Sequence, residues 1–204
     1  RCRRFVCLGE LSLNGALRGI AGVLPNVLAV REASLSEVVV PAENAVEAAL
    51  VEGVNVFAAG SLSEIVGFIR GEEDIAPYKV DVHTLMSGIL SEEPDFADVK
   101  GQQAAKRALE IAAAGGHNLI MTGSPGSGKT MLARRLPGIL PDMTFEESLE
   151  VTKIYSLAGL LRSGTPFIKQ RPFRTPHHTA STTGLIGGGR IPRPGEISLA
   201  HQGV

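Results

Sequence analysis

Eight consecutive residues carry the clearest chemistry in this sequence: Gly123, Ser124, Pro125, Gly126, Ser127, Gly128, Lys129 and Thr130. A glycine, four residues, then Gly-Lys-Thr is the pattern of a phosphate-binding P-loop. Gly123, Gly126 and Gly128 let the backbone wrap so that successive N–H groups turn inward. Together with the start of the following helix, those N–H groups form a cradle for phosphate. Lys129 is placed to reach the β- and γ-phosphates of ATP, and Thr130 to offer its hydroxyl to the accompanying Mg²⁺. The bland alternative is a glycine-rich turn with an exposed lysine.

The flanking elements argue against that alternative. Leu119-Ile120-Met121 reads as a short apolar strand running into the loop, and a helix from residue 129 to about 136 leaves it. Upstream, residues 103–114 read as a helix with Ala104, Ala108, Ile111 and Ala112 on one face, ended by Gly115-Gly116. Residues 145–157 read as a second helical stretch, and from Gly164 the chain is rich in Gly, Pro and Thr.

The first part of the chain has a different rhythm. Residues 5–13 read as a strand closed by Asn14-Gly15, a hairpin signal of the type in which both central residues take positive φ. Residues 27–33, 44–50 and 62–70 read as helices, with strands at 38–40, closed by Pro41, and at 54–58. Strands alternating with helices predict a small α/β unit over residues 1–71. Residues 71–94 hold Glu72-Glu73-Asp74, Pro77 and Ser91-Glu92-Glu93-Pro94 without apolar periodicity, which predicts a linker over residues 72–93. A second domain is then expected over 94–204.

Several weaker constellations carry two readings each. His177-His178 are candidate metal ligands, but adjacent residues on a strand point to opposite faces, which favours packing or surface hydrogen bonding. Lys169, Arg171, Arg174, Arg190 and Arg193 form a local basic stretch, either a solvated loop or a phosphate-contacting one. Arg171 or Arg174 has a structural rival reading, an ion pair with Glu196 or another carboxylate. Gly187-Gly188-Gly189 is either a flexible turn or the mobile tip of a functional hairpin. Cys2 and Cys7 read as reduced thiols in or beside a strand, too few for a metal site.

Composition sets outer bounds. Hydrophobic residues at 44% and charged residues at 20% are ordinary for a globular chain, and with aromatics at 4% and no tryptophan the core must be aliphatic. A net charge of −1 gives no global pull on nucleic acid, so any such surface is local. No apolar run approaches the roughly 20 residues of a membrane span. Sparse cysteine fits a cytoplasmic location. The chain starts at Arg1 and stops at Gly203-Val204, which reads as an internal piece of a longer protein.

A family resemblance is carried by Asp98-Val99-Lys100-Gly101-Gln102, by His117-Asn118-Leu119-Ile120-Met121 leading into the P-loop, and by Arg171-Pro172-Phe173-Arg174-Thr175-Pro176-His177-His178-Thr179. Gly187-Gly188-Gly189 and Pro194-Gly195-Glu196-Ile197-Ser198-Leu199-Ala200-His201 complete it. These runs resemble the magnesium-chelatase-like AAA+ ATPases of the ComM/YifB type. The resemblance implies an α/β chain: a truncated P-loop AAA+ core, preceded by the C-terminal part of a small Lon-protease-like α/β domain of ribosomal-protein fold.

The resemblance also implies a homo-oligomeric ring, a hexamer, with ATP and Mg²⁺ between subunits and DNA as substrate. The corresponding activity is that of a DNA helicase or branch-migration motor in natural transformation. A metal-chelatase-type ATPase that remodels a protein partner is the alternative. By the same resemblance Val99 and its neighbouring backbone flank the adenine, and residues 179–193 form an insert facing the substrate. The second acidic motif, the sensors and the arginine finger fall outside these 204 residues, so this piece is expected to bind nucleotide weakly without turnover. In Lon-type peptidases a catalytic Lys closely follows the counterpart of residues 19–22. Here Val23, Leu24, Pro25, Asn26 and Val27 stand there, with no amine to activate a serine, so the domain is expected to be a relic or packing module.

Overall fold

The computed structural model describes residues 5–87, 94–161, 167–190 and 192–204. Its first part is built on a parallel sheet of three strands, β1 (Val6–Cys7), β4 (Glu37–Pro41) and β5 (Asn55–Ala59), in the order β1-β4-β5. Helices α1 (Val23–Glu32), α2 (Ala45–Ala48) and α3 (Leu62–Arg70) alternate with the strands. Successive strand residues point to opposite faces, and burial follows that period. Val38, Val40 and Val56 face one cluster with α1 and α2, while Val39, Phe57 and Ala59 face another with Ile65 and Phe68 of α3. A sheet covered on both faces explains the unbroken apolar run at 38–40.

Residues 5–13, expected as one strand, divide at Gly9. Its φ of +149° turns the chain away from β4, and a side chain there would meet Pro41 Cγ at 2.9 Å. Beyond Gly9 the chain forms a separate hairpin, β2 (Glu10–Leu11) against β3 (Leu17–Arg18). Its turn is not the expected type. Gly15 has φ +83° but Asn14 is not left-handed, and Gly15 N–H donates to Ser12 O at 2.9 Å. A tight turn followed by one left-handed glycine is the next commonest hairpin solution.

Helix α1 begins at Val23, before the expected residue 27. Pro25 sits in its first turn, where a missing N–H is tolerated. Residues 75–86 pack against the sheet and its clusters. Tyr78 N–H donates to Val56 O at 2.7 Å, and Val80, Leu85 and Met86 pack on the first cluster, the last two from α4 (Val82–Ser87). The rest of the expected linker, residues 88–93, lies outside the described residues, as does Cys2. Cys7 on β1 is a free thiol.

The P-loop region has its own small core of Phe96, Val99, Leu109 and Leu132, flanked by Met121, Leu136 and Ile139. It contains α5 (Gln103–Gly115) and α6 (Lys129–Ala133). Leu119-Ile120-Met121 is not a strand here: none of the described residues pairs with it, and Ile120 is 88% exposed. A strand is defined by its hydrogen-bonded neighbour, so an apolar segment without one stays irregular.

Helix α7 (Phe145–Ala158) leaves this region and docks on α1. Phe145 and Leu149 on α7, and Phe167 beyond it, join the cluster of Val23, Leu24 and Val27. The junction has a buried polar centre. Glu47, 5% exposed, accepts from Leu24 N–H at 2.9 Å, from Asn44 Nδ2 at 3.2 Å and from Ser156 Oγ of α7. Beyond α7 lie α8 (Thr182–Ile186), the two-stranded pair β6 (Gly187–Gly188) and β7 (Arg193–Pro194), and α9 (Glu196–Leu199).

Candidate functional site

The glycine loop is anchored at both ends by apolar contacts, Met121 before it and Leu132 after it, in the same cluster. Between these anchors Gly126 (φ +78°) and Gly128 (φ +86°) are left-handed. Only glycine takes this geometry without steric cost. Gly128 N-caps α6. Lys129 at its first position folds back over the loop. Its Nζ donates to Gly123 O and Ser124 O at 2.8 Å each, and to Ser127 Oγ at 3.2 Å. The amine is thus held inside the ring of loop atoms by three oxygens. Thr130 is exposed, and its hydroxyl has no hydrogen bond among the described residues. Ser124 and Pro125 form the exposed outer rim.

A second segment closes on this loop. Asp95 caps the turn at Phe96–Asp98 by accepting from Ala97 N–H at 2.7 Å. Arg135, just past α6, ties that turn to the loop helix. Its Nε donates to Asp95 O at 2.9 Å, Nη1 to Met131 O at 3.1 Å, and Nη2 meets Asp98 at 3.4 Å. Lys106 of α5 donates to Val99 O. Gly101 (φ +69°) and Gln102 (φ +53°) are both left-handed. This bend brings Gln102 Nε2 to 3.5 Å from Ser127 O. Sequence reasoning missed Arg135 and Lys106, because their partners are main-chain carbonyls, which leave no pattern. Val99 is 3% exposed and turns its side chain into the core, leaving Lys100 and Gly101 outermost.

The basic stretch divides in two. Arg171 is 13% exposed and fully engaged: Nε to Pro141 O at 2.6 Å, Nη1 to Gln202 O at 2.7 Å, Nη2 to Glu147 at 3.2 Å. Arg174 forms a two-point pair with Glu196, as the structural rival reading has it. Arg190 and Arg193, by contrast, are exposed and make no ion pair among the described residues. Gly187 and Gly188 are not the hairpin tip; they are strand residues opposite Pro194 and Arg193. The close pairing needs glycine on both sides: a Cβ on Gly187 would lie 2.7 Å from Arg193 O, and one on Gly195 would lie 2.3 Å from Gly187 N and 2.4 Å from Leu185 O. His177 and His178 stack with ring centres 4.2 Å apart, and His177 Nδ1 bonds Thr179 Oγ1. No group of three metal-ligating side chains occurs among the described residues.

Comparison with known proteins covers both parts of the chain. The family described as magnesium chelatase, subunit ChlI, matches residues 95–204, and a companion family, subunit ChlI of Mg-chelatase, matches residues 1–44. The competence protein ComM of Haemophilus influenzae is 46% identical over 99% of this chain. The chain belongs to the magnesium-chelatase-like ComM/YifB family. Within that family, the YifB protein of Escherichia coli is 44% identical over 98% of this chain, and an uncharacterized Mycobacterium tuberculosis protein 47% identical over all of it. The chain spans 38–40% of the length of these relatives. One family match falls on the N-terminal α/β unit and the other on the part that holds the P-loop, which lies wholly within it. Among the described residues no helix is long and apolar enough to cross a membrane.

Proposed function

We propose that this chain is the nucleotide-binding portion of an ATP-driven DNA motor of the AAA+ class, a helicase or branch-migration factor acting in transformation or recombination. The observation that carries the reading is Lys129, whose amine is already held inside a loop made by two left-handed glycines. A phosphate replacing Gly123 O and Ser124 O as the partner of that amine exchanges neutral acceptors for charged ones, which strengthens the bonds. The exposed Thr130 hydroxyl is the group that would hold Mg²⁺ with ATP, and the bound cation would neutralise phosphate charge. Lys129 and Thr130 are the catalytic candidates, with Gly123, Ser124, Pro125, Gly126, Ser127 and Gly128 lining the phosphate side. The segment at Val99 supplies the wall beside the base, held by Arg135 and Lys106.

The competence protein among the relatives supports DNA as substrate, and the exposed Arg190 and Arg193 supply cations that suit a phosphate backbone. The working form in this reading is a cytoplasmic homo-oligomeric ring, a hexamer, in which the remainder of the longer protein completes turnover. The N-terminal unit serves as a packing module rather than a peptidase: Val23, Leu24 and Val27, where an amine would be needed, are wholly buried on α1. The rival, a chelatase-type ATPase that remodels a protein, draws on the family description. ATPase rate of the full-length protein, with and without DNA, separates the two. Stimulation by DNA supports the motor; an ATPase indifferent to DNA, in a protein that fails to bind it, refutes it.

A further inference from the structure

The P-loop unit and the N-terminal unit are connected by more than chain continuity. Leu136 and Ile139, just beyond α6, pack in the P-loop cluster, whereas Phe145 and Leu149 pack in the N-terminal cluster. Only residues 140–144 separate the two sets. That connector is pinned. Met143 is 4% exposed, and the Arg171 guanidinium bonds Pro141 O, Glu147 of α7 and Gln202 O at once. A displacement at the end of α6 is therefore passed to α7 rather than absorbed in a loose loop.

At the far end of α7 the contact with the N-terminal unit is specific. Ser156 Oγ donates to Glu47 Oε1, and Ser156 O accepts from Gly22 N–H at 3.0 Å. The same Oε1 accepts from Leu24 N–H in the first turn of α1. One buried carboxylate oxygen thus serves donors from both units. A buried charged acceptor that loses a donor is strongly disfavoured. The pairing therefore separates docked from shifted positions of α7 sharply, as apolar packing alone would not.

The geometry points to α7 as a transmission element: nucleotide occupancy at the P-loop is relayed through the Arg171-pinned connector to the Glu47–Ser156 contact, and the N-terminal unit responds. Arg171 and Ser156 are positioning residues in this relay; neither touches the phosphate loop. The inference rests on the P-loop reading of residues 123–130. The relevant physical requirement is an element that both sites bias, not mere proximity.

Hydrogen exchange on the full-length protein tests it, with peptides covering residues 20–28 and 44–50 followed with and without a non-hydrolysable ATP analogue and Mg²⁺. Fluorescence titration of a labelled nucleotide on the same samples reads binding separately. The expected result is a change in protection of about tenfold or more in these peptides on nucleotide binding, the scale of one hydrogen bond to a charged group. Ser156→Ala and Arg171→Ala should both still bind nucleotide, with the remote change abolished. Ser156→Ala costs Glu47 one donor but leaves it those of Leu24 N–H and Asn44 Nδ2 and removes little packing volume, so it keeps the test open should Arg171→Ala fail to fold. The inference is overturned if nucleotide binds and protection in the parent is unchanged, or if the change persists in folded Ser156→Ala. Failure of the parent to bind nucleotide overturns the P-loop reading itself, a distinguishable outcome.

Discussion

Arg174 grips Glu196 at two points, Nε to Oε2 at 2.6 Å and Nη2 to Oε1 at 2.8 Å, and so fixes the start of α9 to the segment that precedes α8. The side chains are 30% and 26% exposed. The guanidinium holds the Glu196 carboxyl below the ordinary glutamate range. A carboxylate with a lowered folded-state pKa stabilises the fold above its unfolded value, about 4.3, and loses that contribution as pH falls through the folded value. Arg174→Lys keeps the charge but not the two-point geometry. It should cost about 1 kcal/mol at pH 7, and the difference from the parent should vanish at low pH. Thermal unfolding at neutral and at strongly acidic pH checks this; an equal gap at both would remove the ion pair as its cause.

Lys129→Ala should separate folding from binding. The side chain lies in the exposed glycine loop, outside the apolar clusters, so circular dichroism and melting should match the parent. Nucleotide affinity of the full-length protein should fall on the order of a hundredfold, the upper range for losing a charged hydrogen-bonding partner. Affinity close to that of the parent would dismiss the P-loop assignment.

Glycine substitutions should rank by space rather than by location. Gly195→Ala places a methyl against Gly187 N and Leu185 O, main-chain atoms that cannot rotate away, and should cost about 1–3 kcal/mol. Gly71→Ala meets nothing within 4 Å and suffers only its φ of +74°, about 1 kcal/mol. Denaturant midpoints of the two variants test the ranking, and a milder effect at position 195 would contradict the close main-chain approach.

Arg190 and Arg193 should act on DNA rather than on stability, because neither pairs with a carboxylate among the described residues. In the full-length protein each alanine substitution should reduce the slope of log affinity against log salt by about 0.7–0.9 for every phosphate no longer neutralised. ATPase activity without DNA should be unchanged. An unaltered slope in the double variant would take this hairpin off the DNA path.

Much of the local structure is legible in the sequence because its signals are local. Ser61 and Glu64 cap α3, Thr144 and Glu147 make a capping box for α7, and these helices begin where the sequence says. The bend of the glycine loop is legible because left-handed positions such as those of Gly126 and Gly128 favour glycine. The docking of α7 is not, since its buried face carries Ser148, Val151, Thr152 and Ser156, a mostly polar set that no hydrophobic period reveals. The Thr152 hydroxyl donates to Ser148 O and accepts from Ile168 N–H, and the second of these partners exists only once the chain has folded. Residues 119–121 mislead for the opposite reason: apolar character signals burial but cannot name the neighbour that a strand needs.

The burial of Phe167 and α7 in the N-terminal cluster bears on how this family can be recombined. Swapping only the N-terminal unit between two homologues would cut through a shared interior, pairing one parent's Glu47 and Val23 with another's Ser156 and Phe145. Grafts that carry helix α7 and residue 167 along with α1 keep the contact surfaces matched. The natural unit of exchange is therefore discontinuous in the gene, two stretches of coding sequence on either side of the glycine loop.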